Sequence, residues 1–238
     1  MIYLIGGMKI EINFKYAYGT KKCNNFLSNG IPDFSVSISE EEIKKEAALT
    51  PWNNLELSEF DCVFKKIYNE APNYGRIVMH GASIMMNSKG FLFSAPSGTG
   101  KSTHIRLWGK RYGKNVTVID GDKPFLSFIN GKAEVWGSPR SGKEGWNNPI
   151  SAPLKGIAFL EQSDSNKITR VSSLDIIDKA FMQFYIPKNK ETAEKTIRII
   201  NQILENVPLY ILKCNMDIEA AEVAYNGMMF SWNFYNIH

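Results

Sequence analysis

Apolar and polar residues alternate with a period of two near the start of the chain. Lys9–Phe14 and Phe34–Ile38 both follow this pattern, which is typical of a β-strand with one buried face. Ser39 and the three glutamates after it predict the first turn of a helix, and apolar residues spaced by three and four predict a longer helix over Leu57–Glu70. The pattern therefore predicts a small β-plus-helix module over residues 1–75.

From residue 76 onward, predicted strands alternate with predicted helices. A strand over Ile77–Met86, a turn at Asn87–Gly90 and a return strand over Phe91–Ser94 predict a β-hairpin that leads into a glycine-rich loop. The later predicted elements are strands at Val116–Ile119, Gly156–Glu161 and Leu209–Leu212, a hairpin at Asn130-Gly131, and helices at Ser173–Phe184, Glu191–Glu205 and Asp217–Tyr225. This order predicts a phosphate-binding α/β domain over residues 76–238.

The composition narrows the class of protein. The chain has 238 residues, of which 44% are hydrophobic and 22% charged, so it can bury a core without disulfides or metal ions. Its net charge is +4, but the basic residues are scattered along the chain. Because nucleic-acid binding requires a concentrated basic surface, we expect no nucleic-acid partner.

The cysteines and the N-terminal sequence indicate the cellular compartment. Cys23, Cys62 and Cys214 lie far apart and form no Cys-x-x-Cys pair, which favours a reducing compartment. The apolar N-terminus lacks a basic segment and reaches Lys9 and Glu11 too early for a signal peptide. No segment approaches the roughly 20 apolar residues of a membrane span. We therefore expect a cytoplasmic protein with no membrane partner.

The strongest chemical motif follows the predicted hairpin and fits a phosphate-binding loop, with alanine in place of the first glycine. Its predicted nucleotide-binding residues are Ala95, Pro96, Ser97, Gly98, Thr99, Gly100, Lys101, Ser102 and Thr103. Gly98 and Gly100 allow several backbone N–H groups to point at one anion, and a helix that begins near Ser102 adds its positive end. Lys101 would reach the outer phosphates and the Ser102 hydroxyl would bind Mg²⁺. The alternative is a chance match in an ordinary glycine-serine loop.

Two aspartates follow the strand predicted at Val116–Ile119. An α/β sheet collects the carboxyl ends of its strands at one edge, which would bring Asp120 and Asp122 beside Lys101. A carboxylate there could accept the proton of an acceptor hydroxyl or hold Mg²⁺, and we favour Asp122 for this role. The alternative is an Asp-Gly turn that only closes the strand.

His80 lies in the middle of the strand predicted at Ile77–Met86. If the hairpin turns at Ser88-Lys89, the numbers of paired residues sum to about 177, which sets His80 opposite Ser97 and against the glycine-rich loop. The alternative is a histidine buried in the core.

A long polar loop over residues 137–151 contains two cations and an aromatic side chain. Arg140 and Lys143 could neutralise the phosphate during transfer. Glu144 could orient these two cations, and Trp146 could cover a base or a substrate. The alternative is a solvated hairpin loop.

Several of these segments resemble one group of bacterial proteins. The segments His80-Gly81, Phe93–His104, Gly121–Pro124 and Ser141–Asn147 look like proteins related to the catalytic domain of HPr kinase/phosphorylase. That domain is similar to the nucleotide-binding domain of phosphoenolpyruvate carboxykinase. The likeness extends from about Ile77 to the C-terminus. It implies an α/β fold with an HPr kinase/phosphoenolpyruvate carboxykinase-like P-loop domain and a mixed sheet, after the small N-terminal module.

The resemblance implies an ATP-dependent kinase that uses Mg²⁺ and transfers the γ-phosphate to a hydroxyl. It implies phosphate and metal contacts for Lys101 and Ser102, a base or metal contact for Asp122, and a place near the reacting phosphate for His80. Relatives in peptide-modification gene clusters phosphorylate peptide serines. The expected acceptor is therefore a serine of a peptide or protein, or a small hydroxyl metabolite. Oligomeric relatives also make a homo-oligomer an expectation.

One departure from the family pattern motivates a second hypothesis. HPr kinases carry two adjacent aspartates where this chain has Gly121 before Asp122. The alternative function is a nucleotide-sensing, ATP-binding interaction module with little or no transfer activity. Carboxykinase-like chemistry on a carboxylate metabolite ranks third, because the chain is short for that activity.

Overall fold

The computed structural model describes residues 1–50 and 52–230, and its first part is a three-stranded sheet covered by three helices. The elements are β1 (Ile2–Ile5), β2 (Met8–Ile12), β3 (Phe34–Val36), α1 (Ala17–Cys23), α2 (Glu40–Leu49) and α3 (Leu55–Glu70). β2 pairs antiparallel with β1 and parallel with β3. The predicted strands and helices of this part are therefore present, and β1 and α1 are additional.

Side-chain caps determine where α2 and α3 begin. Ser39 and Glu42 form a capping box, in which each side chain accepts a hydrogen bond from the backbone N–H of the other residue. At the start of α3, the Asn54 side chain accepts a hydrogen bond from the Leu57 N–H at 2.9 Å. The buried face of α3 then packs into the core of this part of the chain.

The second part is a nine-stranded sheet with helices on both faces. Its strands are β4 (Arg76–Val78), β5 (Ala82–Met86), β6 (Lys89–Ser94), β7 (Thr117–Asp120), β8 (Phe125–Ile129), β9 (Lys132–Trp136), β10 (Ser151–Gln162), β11 (Lys167–Val171) and β12 (Leu209–Cys214). Its helices are α4 (Lys101–Tyr112), α5 (Ser173–Phe181), α6 (Lys190–Asn206) and α7 (Glu219–Phe230). The strand order is β4-β8-β9-β10-β6-β5-β7, with β12 beside β10 and β11 beside β12. Because β10 is parallel to β6 and β12 but antiparallel to β9, the protein is α/β with a mixed sheet.

Alternate residues of the central strands face opposite layers of helices. Leu92 packs with α5 and α6, whereas its neighbours Phe91 and Phe93 pack with α4 and α7. A third apolar cluster joins the first part of the chain to this sheet through Val78 and Phe125. Within residues 1–50 and 52–230, no helix combines the length and apolar character needed to cross a bilayer.

The strand predicted at Ile77–Met86 is interrupted, because the backbone bonds of its central residues leave the sheet. The His80 N–H donates to the carbonyl of Gln183 at 2.7 Å, and the Gly81 N–H donates to the carbonyl of Asp122 at 2.9 Å. β4 and β5 therefore pair with different strands, β4 with β8 and β5 with β6 and β7.

The hairpin between β5 and β6 is confirmed, but its register differs from the predicted one. Asn87 and Ser88 form the two-residue turn, with φ of +51° and +57°, one residue earlier than expected. Each residue of β5 consequently pairs with a residue two positions earlier in β6 than predicted, as Ala82 does with Phe93. The predicted pairing of His80 with Ser97 is therefore wrong.

The core between α4 and the sheet encloses an uncharged histidine. The His104 side chain is 2% exposed, and its Nε2 accepts a hydrogen bond from Trp108 Nε1 at 3.0 Å. Its Nδ1 has no hydrogen-bond partner among the described residues. Burial lowers the pKa of His104 to about 3, so the folded protein holds this ring neutral.

We expect His104 to make the fold sensitive to acid. The unfolded chain binds a proton at this ring near pH 6.5, while the folded chain does not. The neutral His104 ring therefore costs the folded chain no stability above that pH. Below it, the free energy of unfolding falls by about 1.4 kcal/mol per pH unit. Urea unfolding between pH 7 and 5 should show a shallower pH dependence for His104→Phe than for the wild-type chain. Equal slopes would contradict this assignment, whatever the absolute stability of the variant.

Candidate functional site

The glycine-rich loop, residues 95–102, leads from β6 into the first turn of α4. Gly98 and Gly100 have φ of +84° and +117°, a region that residues with a β-carbon rarely adopt. Gly100 is the residue before α4 and provides no side-chain cap for the N–H groups of the first turn. A β-carbon at either glycine would meet no described atom within 4 Å, so the space before them is open. This arrangement suits an anion.

Lys101 folds back across this loop. Its side-chain ammonium donates to the carbonyls of Ala95 at 2.8 Å and Pro96 at 3.1 Å. Burial lowers the pKa of Lys101, and the nearby carboxylate of Asp122 opposes that shift. Ser102 and Thr103 follow in the first turn of α4, where both are partly exposed.

The two aspartates after β7 have different surroundings. Asp120 is fully buried, and its carboxylate accepts hydrogen bonds from the backbone N–H groups of Asp122, Lys123 and Ser138, each at 2.8 Å. Burial raises the pKa of Asp120 to about 7, against the opposing effect of these N–H groups. The Asp122 side chain is 28% exposed and lies 3.6 Å from His80 Nε2. Asp120 therefore holds the turn together, and Asp122 faces the open site.

His80 lies beside Asp122 in a cavity wall and is not buried in the core. Its side chain is 28% exposed, and its Nδ1 is 3.1 Å from the side-chain oxygen of Gln183. Burial and then the charge of Lys101 lower the pKa of His80, so its contact with Asp122 is not an ion pair at neutral pH. Gln183 follows α5 in an irregular segment, and no spacing or motif in the sequence indicates its place in the site.

The polar loop before β10 contributes one of its two predicted cations to this region. Arg140 forms an ion pair with Asp61 of α3, and the backbone of Gly142 packs against the Asp122 side chain. Lys143 is exposed and forms no hydrogen bond or ion pair with the described residues.

The expectation that Glu144 orients Arg140 and Lys143 is wrong, because its carboxylate pairs with a different cation. Glu144 forms an ion pair with Arg106 of α4, and the Trp146 ring lies 5.3 Å from the same guanidinium group. These contacts attach the loop to α4, because a guanidinium group binds a carboxylate and an aromatic face together.

Two clefts border the glycine-rich loop, and a third adjoins the first of them. One of about 590 Å³ lies between this loop, the end of β10 and α5, and a second of about 660 Å³ lies on the side of Thr103 and Asn215. A third, of about 370 Å³, lies beside His80 and Asp122 and shares Gln183 with the first. In the part of the chain that the structure describes, no three His, Cys, Asp or Glu side chains cluster as a metal site.

The different surroundings of the two aspartates predict losses of stability of different size. Asp120→Ala removes the acceptor of three backbone N–H groups and should lower the free energy of unfolding by about 3 kcal/mol. Asp122→Ala should lower it by less than about 1 kcal/mol, because its carboxylate is partly exposed. Urea unfolding at pH 8 measures both changes. Equal losses for the two variants would show that Asp120 does not hold the turn.

Comparisons with solved structures find several matching chains, among them a kinase with limited similarity. The Hpr(Ser) kinase/phosphatase from Coxiella burnetii is 12% identical, with the match covering 63% of this chain and 88% of that chain. The TM-score is 0.36. No curated protein matches the sequence.

A protein family matches residues 48–222, a range that begins near the end of α2 and ends in α7. The range includes the glycine-rich loop, Asp61, His80 and Asp122. This family is described as "SynChlorMet cassette protein ScmC" and is not HPr kinase/phosphorylase itself. Because the match covers well over half of the sequence, the chain belongs to the ScmC family of SynChlorMet cassette proteins.

Proposed function

We propose that the protein is an ATP-dependent kinase that transfers the γ-phosphate to a hydroxyl group. The observation that carries the proposal is the meeting of the glycine-rich loop and Lys101 with Asp122 and His80 at one edge of the sheet. In this proposal residues 76–238 form an HPr kinase-like P-loop domain, and residues 1–75 form a module that precedes it. The acceptor hydroxyl belongs to a serine of a peptide or protein or to a small metabolite.

The glycine-rich loop would bind the phosphates of ATP. The uncapped N–H groups at the start of α4 suit negative charge, and the two left-handed glycines leave the approach to them open. Lys101 would exchange its bonds to the carbonyls of Ala95 and Pro96 for bonds to the outer phosphates. This exchange keeps the partly buried ammonium paired in both states.

The same residues include oxygen donors that fit Mg²⁺. The Ser102 hydroxyl and the Asp122 carboxylate are hard oxygen ligands, and Mg²⁺ is usually held by one or two protein side chains together with substrate phosphates. When bound, Mg²⁺ would neutralise charge on the phosphate oxygens during transfer.

Asp122 is the proposed general base. The acceptor oxygen would form a bond to the γ-phosphorus as the bond to the ADP oxygen breaks, and the hydroxyl proton would pass to the Asp122 carboxylate. Neutral His80 lies against Asp122 without removing its charge. Arg140, held by Asp61, would stabilise charge near the base. Lys143 could add a second cation only if its loop moved toward the site.

Transfer of label from γ-labelled ATP tests this function. Purified protein with Mg²⁺ is incubated with separate pools of serine-containing peptides, HPr and small hydroxyl metabolites. Label on one pool, absent with Lys101→Ala, is the expected result, because Lys101 binds the outer phosphates. Calorimetry should show that Lys101→Ala weakens MgATP binding by at least about tenfold, since it removes a charge-assisted hydrogen bond. Unchanged MgATP affinity would contradict the site, and tight binding with no labelled acceptor would favour the nucleotide-sensing module.

Asp122→Asn separates binding from chemistry. The amide has nearly the same shape as the carboxylate but cannot take a proton at neutral pH, so turnover with the labelled acceptor should fall by about 100-fold or more. MgATP affinity should change by less than about threefold, because most phosphate contacts come from the loop. Glu205→Gln, an exposed change on α6, is the matched control. Turnover that survives in Asp122→Asn would remove Asp122 as the base.

A further inference from the structure

The cavity of about 370 Å³ beside Asp122 lies between the two parts of the chain. Tyr68 of α3 forms one wall, Lys123 and Asp122 form another, and Gln183 and Tyr185 complete it. Ligand pockets of drug-sized molecules span roughly 300–1,000 Å³, so this cavity is at the small end of that range. We call it the acceptor cavity, because it contains the carboxylate that the proposed function assigns as base.

The acceptor cavity contains a cation without a close partner. The Lys123 ammonium forms no hydrogen bond or ion pair with the described residues, although burial and then the charge of Arg140 lower its pKa. Asp122 attracts this ammonium without forming an ion pair with it, and the two other nearby carboxylates are engaged elsewhere. Asp120 accepts three backbone N–H groups, and Asp61 binds Arg140 and the Asn53 side chain. A partly buried cation that lacks a paired anion is costly, and a bound anion would remove that cost.

A buried hydroxyl in the same wall also lacks a partner. Tyr68 is 5% exposed, and its hydroxyl makes no hydrogen bond with the described residues. Its ring is fixed by Phe125, with centroids 5.7 Å apart, and by Tyr185, with centroids 5.4 Å apart. Buried hydroxyl groups are almost always hydrogen-bonded in folded proteins, so this one indicates a partner that binds there.

The charges around the cavity favour an anion. Lys123 and Asp122 are the charged side chains in the cavity wall, while Arg140 is paired with Asp61 and Lys101 is held at the glycine-rich loop. Asp122 attracts the Lys123 ammonium but forms no ion pair with it, so this ammonium is the cation available to a bound anion. An acceptor with a negative group next to its hydroxyl would satisfy Lys123 while its hydroxyl lies at Asp122, since both residues line the same cavity.

We propose that the acceptor cavity binds a small hydroxy acid, whose carboxylate contacts the Lys123 ammonium and the Tyr68 hydroxyl and whose hydroxyl faces Asp122. This inference rests on the proposed kinase function and selects, between its two kinds of acceptor, the small metabolite. A hydroxyl on the carbon next to the carboxylate, or one carbon further, would let one small molecule reach both residues, since both line the same cavity. A serine within a peptide offers no carboxylate at that position.

Binding of defined probes tests the acceptor cavity. Saturation-transfer NMR and calorimetry are performed with L-serine and D-glycerate on protein saturated with Mg²⁺ and a non-hydrolysable ATP analogue. Ethanolamine and glycerol are the counterparts without a carboxylate, and N-acetylserinamide represents a peptide serine. We expect both hydroxy acids to bind at least about tenfold more tightly than the three other probes, because only they offer an anion.

Variants locate the contact. Lys123→Met should weaken L-serine binding by about tenfold or more and Tyr68→Phe by about fivefold, while affinity for the ATP analogue stays within about twofold. Lys132→Met on β9 and Tyr112→Phe on α4 are the matched controls and should bind as the wild-type chain does. Retained affinity for the analogue also shows that each variant is folded.

The outcomes separate this inference from the proposed function. If the analogue binds but no hydroxy acid does, or if N-acetylserinamide binds as tightly as L-serine, the acceptor cavity is assigned wrongly and the kinase proposal stands. If L-serine binds equally well to Tyr68→Phe, the contact with the Tyr68 hydroxyl is wrong. If the analogue itself fails to bind, the proposed function fails.

Discussion

The buried carboxylate of Asp120 accepts three backbone hydrogen bonds, and the geometry of the whole site depends on them. Two of the donors belong to Asp122 and Lys123, so the turn directs those side chains into the open cavity. The third belongs to Ser138, where the polar loop begins, and Arg140 follows two residues later. A single side chain without solvent contact thus positions the proposed base, two cations and the start of a loop.

The mixed sheet brings these groups to the glycine-rich loop. β5 is antiparallel to both of its neighbours, so β6 and β7 run in the same direction on either side of it. Their carboxyl ends lie at one edge, where β6 leads into the loop and β7 leads into the Asp120 turn. Helices on both faces bury the sheet, and its end therefore remains the open side for ligands.

Local signals in the sequence predict the elements well, and they fail where distant contacts decide. Ser39 marks the start of α2 through its cap, and Asn130-Gly131 forms the predicted hairpin turn, with both residues at positive φ. The apolar pattern continues through His80, however. Only the hydrogen bonds that the backbone N–H groups of His80 and Gly81 donate to the carbonyls of Gln183 and Asp122 draw this segment out of the sheet. The glycine-rich motif locates Lys101, and the end of a predicted strand locates the two aspartates. Both features have local signatures in the sequence. Tyr68 has no such signature, since its place in the cavity wall arises from the contact of α3 with Phe125 of β8.

The ion pair between Asp61 and Arg140 links a helix of the first part of the chain to the loop that covers Asp122. Tyr68, two helical turns further along α3, lines the cavity beside the same aspartate. The two parts therefore cannot be exchanged between relatives as independent building blocks. A recombinant that took its first 75 residues from another lineage would keep the phosphate-binding motif intact. It would also need an acid that pairs with Arg140 and a side chain that takes the place of Tyr68 in the cavity wall shared with Lys123, so these four positions should be inherited together.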